Sequence, residues 1–371
     1  MIDLGVRLQL LVGPTVPLPA SYDLADALRT VEVRNNDRER DGFQLEFSLG
    51  KNTLLDYGLL STPILEPPSR VILVAIIQAI PLVLIDGVIT DHQVTPSNQP
   101  GSSTLRVSGV DVSIMMDLEE KNATYPNQSD SAIVTRLLGS YARFGIVPEV
   151  FPTTYVPVET QRVTNQQGTD YAFIRELARR NGYIFYVEPT NLPGSSRAYW
   201  GPDARVGLPQ PALAMNMGPA TNVDTPMYFR YDALGPAQPT ITIIEPSSGV
   251  ALQVPAPPVS AAPMASRPTT ALRHTITRDT ASLSPAEAAP RALAEVSEGS
   301  DAVTASGQVD AVRYGTVLRA RRIVGVAGVG FNFDGNYYVR QVTHRIRRGE
   351  YKQDFALARE GRGALTPVVA R

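Results

Sequence analysis

The chain contains 371 residues, of which 43% are hydrophobic and 19% are charged, and its formal net charge is −2. This length and composition indicate two or three folded domains, and the small net charge argues against a simple nucleic-acid-binding protein. The chain has no cysteine, which excludes disulfides and cysteine zinc sites, and its 31 prolines and 28 glycines indicate many turns and a β-rich fold.

Residues 1–120 have the pattern of a small antiparallel β-barrel with long loops. We predict strands over residues 71–77, 81–85 and 88–94. The last two strands are separated by the dipeptide Asp86-Gly87, which is a strong hairpin-turn signal.

No membrane anchor is expected from the sequence. The N-terminus lacks the basic region of a signal peptide. The apolar run 71–85 is 15 residues long and includes Gln78 and Pro81, so it is shorter than the ~20 residues of a spanning helix. We interpret it as a buried pair of strands.

Residues 121–235 mix helices and strands and are predicted to form an inserted α/β domain. Ser129 or Asp130 caps a first helix that ends at Gly145. Four apolar residues form its buried face: Ile133, Leu137, Leu138 and Tyr141.

A second helix in this region has clear boundaries. Asp170 is its predicted N-cap, and Arg179 and Arg180 lie in its last turn, where cations suit the helix dipole. Gly182 fits the position after the helix, and an aromatic strand over 183–187 follows.

Residues 236–285 are a proline- and alanine-rich segment that we interpret as a linker or long excursion. The alternative is a loop that is ordered only on a neighbouring molecule. Ser284 and Glu287 then form a capping box that begins a helix, which Pro290 would kink or shorten.

Residues 286–371 contain that helix and a second predicted β-barrel. Candidate strands cover residues 302–309, 315–319 and 323–329, followed by a hairpin of 337–346 and 351–357. In this hairpin one face carries Tyr338, Val342 and Ile346, and one face of the second strand carries Tyr351, Phe355 and Leu357.

The sequence lacks the residue constellations of an enzyme or a metal site. Its histidines are His92, His274 and His344, and none has metal-ligand spacing. We interpret His344 as a structural residue of a strand. The glycines of 325–330 have the wrong spacing for a dinucleotide loop and suit curved strands better. We therefore predict no enzymatic activity and no cofactor.

Charge is distributed unevenly along the chain. Residues 1–120 hold 8 basic and 16 acidic residues, whereas 311–362 hold 11 basic and 4 acidic residues. Acidic and basic ends could alternate around a ring of subunits and steer its closure. Alternatively, the basic strands line a lumen or face solvent. The candidate interface or lumen residues are Arg340, Arg345, Arg347 and Arg348.

Three ordered motifs resemble one known family. The first is Leu105, Val107, Gly109 and Asp111 at alternate positions of a strand. The second combines helix and strand in 169–188: Asp170, Tyr171, Phe173, Leu177, Ala178, Gly182, Tyr183, Phe185 and Tyr186. The third is the last hairpin: Gly335, Tyr337, Val339, Val342, His344, Tyr351, Phe355, Leu357 and Arg359. Together they resemble the baseplate hub proteins of contractile phage tails (the late control D family) and the hub portion of type VI secretion spike proteins.

The resemblance implies a mainly β fold with an α+β insertion and two small antiparallel β-barrels per chain. It further implies a homotrimer whose six barrels form a pseudo-sixfold ring. Such a hub joins the sixfold inner tail tube to a threefold central spike and forms part of the conduit. Some relatives carry a fused lysozyme or spike, and neither is visible in this sequence.

The implied partners are a separate spike protein, the inner tail tube protein, other baseplate proteins and the tape measure. No specific nucleic-acid binding is expected, although DNA or cargo would pass the lumen. The hub would assemble in the bacterial cytoplasm and become part of a phage virion or contractile injection particle. The alternatives are the hub of a non-contractile tail tip and, from another class, a carbohydrate-active enzyme on a β-scaffold, which would need exposed tryptophans beyond Trp200.

Overall fold

The computed structural model describes residues 6–14, 16–50, 57–60, 63–99, 101–160, 162–244, 250–254, 263–278, 280 and 283–365. Within these residues the protein is mainly β, with several sheets and five α-helices. The predicted fold class, mainly β with an α/β portion, is confirmed. Residues 1–5, on which the signal-peptide expectation depends, lie outside the described residues.

The first portion of the chain is a curved antiparallel sheet with one short helix. Its elements are β1 (Val6–Gly13), β2 (Leu18–Pro19), α1 (Tyr22–Ala27), β3 (Leu28–Asn36), β4 (Gly42–Leu49), β5 (Arg70–Ile77), β6 (Ile80–Thr95) and β7 (Ser103–Asp111). The strands pair in the order β3-β4-β7-β6-β5-β1-β2. Leu45, Phe47 and Leu105 point to the same face and are fully buried in one core, as the alternation of side chains along a strand dictates.

The turn predicted at Asp86 and Gly87 is wrong, because β6 runs through both residues. The chain turns earlier, at Gln78 and Ala79, which have φ angles of +50° and +66°. Asp86 is buried and accepts hydrogen bonds from the Arg70 guanidinium at 2.7 Å. A Cβ on Gly87 would lie 2.5 Å from the Val110 carbonyl oxygen, so this glycine permits close strand approach rather than a turn.

The next portion of the chain is α/β. Its elements are β8 (Glu120–Tyr125), α2 (Asp130–Gly139), β9 (Ile146–Val150), β10 (Thr164–Thr169), α3 (Asp170–Arg180), β11 (Tyr183–Pro189) and β12 (Ser196–Pro202). β8 pairs with β10, and β12 lies between β11 and β9. The helices pack around Trp200, which is fully buried and donates its indole N–H to the Ile174 carbonyl at 3.1 Å.

The helix boundaries in this portion differ in detail from the prediction. Ser129 is the N-cap of α2, which ends at Gly139 rather than Gly145. Thr169, not Asp170, is the N-cap of α3, because its hydroxyl accepts the Ala172 N–H. Gly182 has the expected positive φ of +65° after the helix.

The described part of 236–285 contains four short strands. The elements from 210 to 299 are β13 (Gln210–Ala214), β14 (Tyr228–Tyr231), β15 (Ala237–Ile244), β16 (Ala251–Val254), β17 (Ala265–Pro268), β18 (Arg273–Ile276) and α4 (Pro285–Gly299). β15 pairs with β16 and β18 and packs against α4. Residues 245–249, 255–262, 279 and 281–282 of the predicted linker lie outside the described residues.

The helix α4 begins at the predicted capping box, in which Ser284 and Glu287 exchange hydrogen bonds. Pro290 does not end it, and α4 continues to Gly299. Ala288 and Ala292 are buried against β15, and this tertiary packing maintains the helix beyond the proline.

The last portion contains the remaining strands. Its elements are β19 (Val303–Asp310), α5 (Ala311–Tyr314), β20 (Ile323–Ala327), β21 (Gly335–Arg347), β22 (Glu350–Arg359) and β23 (Gly361–Ala364). The strand predicted over 315–319 is wrong, because Asp310 caps α5 and Gly315 ends it with a φ of +78°. Thr316 to Arg319 form no strand in the structure.

One seam joins the first and last portions. β21 pairs with β3 from Gln341 opposite Asn36 to Arg347 opposite Thr30. A single 13-stranded sheet results, in the order β14-β19-β22-β21-β3-β4-β7-β6-β5-β1-β2, with β20 and β13 branching from β21. The described strands therefore form no closed barrel. The 13-residue β21 is long enough to pair with β20 through its first half and with β3 through its second, which links two portions that were predicted as separate barrels.

The two hairpin faces are only partly as predicted. Tyr351, Phe355 and Leu357 share the buried face of β22. A bulge in β21 between Val339 and Gln341 shifts the alternation, so that Val342 packs in a core with Tyr337 and Val339. Tyr338 belongs neither to this core nor to the core that contains Leu45 and Phe47.

Candidate functional site

The charged turn between β3 and β4 connects the first portion of the chain, the α/β portion and the last portion. Asp41 is the last residue of this turn, and its carboxylate accepts the Asn36 N–H and the Asn35 side-chain amide, each at 2.9 Å. Arg321 binds the same carboxylate through both terminal nitrogens, at 2.7 and 3.1 Å. The side chains of Arg321 and Asp41 are only 4% and 1% exposed. This buried bidentate pair fixes the first portion to the last.

Glu188 of β11 extends the pair to the α/β portion. It forms ion pairs with Arg197 and with Arg322, the latter at 3.3 Å, and lies 4.0 Å from Arg321. The guanidinium of Arg321 also lies over the Tyr186 ring, 4.4 Å from its centroid. Burial alone would lower the pKa of Arg321, but the nearby Asp41 and Glu188 carboxylates raise it, so that the guanidinium stays charged.

A second charged network lies beside the first. Arg205, after β12, donates to Asp301 at 2.7 Å, and Arg340 of β21 binds the same carboxylate. Arg38 pairs with Asp203 at 3.1 Å. This network again joins the β3–β4 turn, the α/β portion and the last portion.

Two buried titratable groups border the Asp41 cluster. Asp111 accepts the Asp41 backbone N–H at 2.9 Å, and burial, then the Asp41 charge, raises the pKa of Asp111 to about 6. His344 lies between Asn35 Oδ1 at 3.1 Å and the Tyr351 hydroxyl at 3.0 Å. Burial, then the Arg319 charge, lowers the pKa of His344 to about 3. A neutral His344 satisfies both contacts, donating to Asn35 and accepting from Tyr351.

The four candidate arginines do not form one cluster. Arg340 belongs to the Asp301 network, about 20 Å along β21 from the other three. Arg345 pairs with Glu32 at 3.5 Å and Asp354 at 2.8 Å, and Arg348 pairs with Asp26 at 2.6 Å. Arg347 is exposed and forms no ion pair with a described residue.

These ion pairs neutralise part of the uneven charge along the sequence within a single chain. Asp26, Glu32 and Asp41 come from the acidic end of the sequence, and Arg348, Arg345 and Arg321 come from the basic end. The opposite charges therefore meet within one chain, across the β21–β3 seam. A role for these arginines between subunits or in a lumen stays a prediction.

The main path of the 13-stranded sheet has two unlike ends, and the branch through β20 ends in a further edge at β13. At one end, beside β1 and β2, Leu18 and Tyr22 are 65% and 84% exposed. At the other end, on β14, Tyr228 is 70% exposed. Both ends thus combine an open strand edge with exposed apolar side chains, which natural monomers usually cover or blunt.

A groove of about 340 Å³ adjoins the first of these edges. Val6 and Leu8 of β1 line one wall, and Leu28 of β3 lines the other. Arg347 and Arg348 lie at its rim. Two of the candidate arginines therefore border a groove of mixed character, which also contains Arg29, Asp310 and Glu350.

Sequence reasoning missed the β3–β4 turn. The signal was the unbroken charged run Asp37, Arg38, Glu39, Arg40 and Asp41. Such a run ordinarily faces solvent, whereas here both aspartates are buried: Asp37 lies 3.7 Å from the adjacent Arg38, and Asp41 pairs with the distant Arg321.

Among the described residues, no group of three or more histidine, aspartate or glutamate side chains is placed to hold a metal ion. None of their helices combines the length and apolar composition that crossing a membrane requires. Trp200, which a sugar-binding surface would need to expose, is buried in the α/β core.

Comparison with solved structures identifies the fold. A tail protein from Neisseria meningitidis MC58 superposes with a TM-score of 0.62 at 13% identity, covering 97% of this chain and 98% of that chain. The 43 kDa tail protein of prophage MuSo2 from Shewanella oneidensis gives 0.62 at 14% identity, covering 96% and 98%. This chain has the fold of phage tail proteins.

The tail-protein fold also occurs in a secretion system. The E. coli c3393 protein superposes with a TM-score of 0.54 at 14% identity, covering 99% of this chain and 80% of that chain. It is described as a type VI secretion component with structural similarity to the T4 tail proteins gp27 and gp5. The predicted resemblance to phage-tail and type VI secretion proteins is confirmed at the level of the fold.

Sequence comparison adds little to this result. A family model described as the Alg8 N-terminal domain matches residues 66–193, about a third of the chain. The match begins just before β5 and ends between the paired strands β11 and β12, so it does not coincide with a structural unit. None of the curated proteins matches the chain.

Proposed function

We propose that this protein is a structural hub of a phage tail or related injection machine. It forms a homotrimer that joins a sixfold inner tube to a threefold spike and encloses part of the conduit. The protein acts by symmetry matching and has no enzymatic activity. The near-complete coverage of both chains in the superpositions on tail proteins supports this proposal.

The observation that carries the proposal is the open 13-stranded sheet with its unlike ends. An edge that meets a different edge of the next copy makes a heterologous contact, and such contacts close into a ring when the rotation between copies closes. The β1 edge of one copy would pair with the β14 edge of the next, so that three copies bury six edges. Each chain contributes two portions of its sheet, which meet at the β21–β3 seam. Three chains would therefore place six such portions around the ring in a pseudo-sixfold arrangement.

The proposed partners follow from the position of such a ring. The tail tube protein stacks on one side, a separate spike protein binds on the other, and further baseplate proteins and the tape measure contact the periphery and lumen. The hub assembles in the bacterial cytoplasm before it enters the particle. Conduction of DNA or cargo needs no sequence-specific nucleic-acid contact.

We place the hub in a contractile tail or injection particle. The superposition on the E. coli c3393 protein, a component of the type VI secretion system, supports this choice. The tip of a non-contractile tail is the second candidate. Co-purification with a sheath protein would favour the contractile assignment.

Cross-linking tests the edge pairing directly, because the chain has no native cysteine. The double variant Gln9→Cys/Tyr228→Cys places one thiol on each free edge, at exposed positions of β1 and β14. A short bis-maleimide should link the double variant into species of up to three chains. Neither single variant should cross-link under the same conditions. Dimers from a single variant would mean that like edges meet, which contradicts the heterologous ring.

A further inference from the structure

A small basic pocket lies where the turn after β11 faces residues 319–322. Its volume is about 250 Å³, and its charged lining consists of Arg197, Arg319, Arg322 and Glu188. Asn191 adds a side-chain amide. Sites for whole organic ligands have volumes of roughly 300–1,000 Å³, so this pocket suits one small polar group.

The arginines around the pocket outnumber the carboxylates available to them. Glu188 is shared by Arg197 and Arg322, and Arg197 also binds Glu149 at 2.7 Å. Arg319 has no carboxylate within 4.0 Å among the described residues. Burial, together with the neighbouring Arg322 charge, lowers the pKa of Arg319, as expected for a guanidinium short of negative partners.

Hydrogen bonds fix both the backbone and the guanidinium of Arg319. Its backbone N–H donates to Gln210 Oε1 at 2.8 Å, and its carbonyl accepts from Gln210 Nε2 at 3.0 Å. Its Nη1 donates to the Val83 carbonyl at 2.6 Å, which is the only guanidinium hydrogen bond of Arg319 to a described residue. The remaining guanidinium donors of Arg319 have no hydrogen-bond acceptor among the described residues, and Arg319 lines the pocket.

We propose that this pocket binds a single oxyanion, a carboxylate or a phosphate, with Arg319 as its anchor and Arg322 beside it. The planar fork of a guanidinium matches both groups in bidentate geometry. The oxyanion comes either from free phosphate or from an acidic side chain of another copy of this chain. The proposal does not depend on the ring, because free phosphate can occupy the pocket of a monomer.

Titration with inorganic phosphate at constant ionic strength tests the site. We expect saturable binding of one phosphate per chain, weakened about ten- to hundredfold in Arg319→Gln and in Arg322→Gln. Arg322 is 51% exposed, so its variant keeps the test valid even if Arg319→Gln fails to fold. Arg347→Gln, an exposed arginine outside the pocket, should bind like the unmodified protein.

Two results would overturn the site: no saturable binding to the unmodified protein, or equal binding by Arg322→Gln. The mass in solution then separates the two sources. A mass that falls as phosphate saturates the pocket means that phosphate displaces a carboxylate of another copy. An unchanged mass means that the pocket serves a free oxyanion. A monomer that still binds phosphate would count against the hub ring and leave the pocket intact.

Discussion

The pair of Asp41 and Arg321 shows how one residue contact can join distant parts of this chain. The two residues are 280 positions apart, and both are almost completely buried. Burying two charges is unfavourable unless each is fully paired and hydrogen-bonded. Asp41 meets this condition through Asn35, Asn36 and Arg321.

Arg321→Ala should therefore lower the free energy of unfolding by about 3–5 kcal/mol, because Asp41 would stay buried without its counter-ion. Urea denaturation measures the change. Arg347→Ala is the matched control at an exposed, unpaired arginine, and it should change stability by no more than about 0.5 kcal/mol. Equal effects of the two variants would show that the Asp41 pair does not fasten the portions together.

His344 gives the protein a defined pH dependence. Its pKa falls from 6.5 in the unfolded chain to about 3 in the folded protein, so the unfolded chain binds the extra proton between these values. Its contribution to stability is complete above pH 6.5 and is lost as the pH falls toward 3. His344→Gln should flatten the decrease in unfolding free energy over this window, measured by urea denaturation at several pH values.

Asp111 acts in the opposite direction, since its raised pKa of about 6 makes the folded protein bind a proton more tightly. That contribution is complete below pH 3.8 and is lost as the pH rises through 6. Comparing His344→Gln with the unmodified protein at each pH cancels the Asp111 term. An unchanged pH profile in the variant would mean that His344 is not held neutral.

At the scale of single elements, two hairpin turns offer a matched test of backbone strain. Ala79 in the β5–β6 turn has a φ of +66°, and Gly349 in the β21–β22 turn has a φ of +77°. A residue with a Cβ in this region costs roughly 1–2 kcal/mol. A Cβ on Gly349 would meet nothing within 4 Å, so only the backbone conformation matters there.

We expect Ala79→Gly to stabilise the protein by roughly 1 kcal/mol and Gly349→Ala to destabilise it by a similar amount. Thermal unfolding of both variants checks the prediction. A loss of stability in Ala79→Gly would mean that the greater freedom of glycine in the unfolded chain outweighs the relief of strain.

Local sequence signals predicted elements best where every contact lies nearby. The capping box of Ser284 and Glu287, the stop at Gly182 and the face of Tyr351, Phe355 and Leu357 depend on residues within a few positions. The turn predicted at Asp86 and Gly87 failed because Arg70 and Val110, which are distant in sequence, determine their environment.

The candidate site was harder to predict than the elements. The positions of Arg340 and Arg345 on one strand, and of Arg347 and Arg348 beside the following turn, followed from the sequence. Their partners Asp301, Glu32 and Asp26 did not, because each pair depends on contacts between distant parts of the chain, among them the β21–β3 strand pairing. The bulge after Val339 likewise depends on the β21–β22 register and has no local signal.

At the scale of the whole molecule, the open sheet replaces the two separate barrels that the family resemblance implied. The long strand β21 pairs with β3 and so joins the two portions into one continuous open sheet. The main path of this sheet ends in unpaired edges at β1–β2 and at β14. Exposed Leu18, Tyr22 and Tyr228 at those edges would be a liability in an isolated chain. In the proposed ring, neighbouring copies would cover these side chains.

The decisive measurement is the absolute mass in solution by light scattering, at low and high salt. We predict a trimer of three times the 40.1 kDa chain mass for the unmodified protein. Leu18→Asp and Tyr228→Asp should each yield monomers, since each places a charge on one proposed edge. Leu208→Asp, at an exposed apolar residue outside both edges, should remain trimeric. A monomeric unmodified protein, or a trimer that survives both edge substitutions, would contradict the proposed ring.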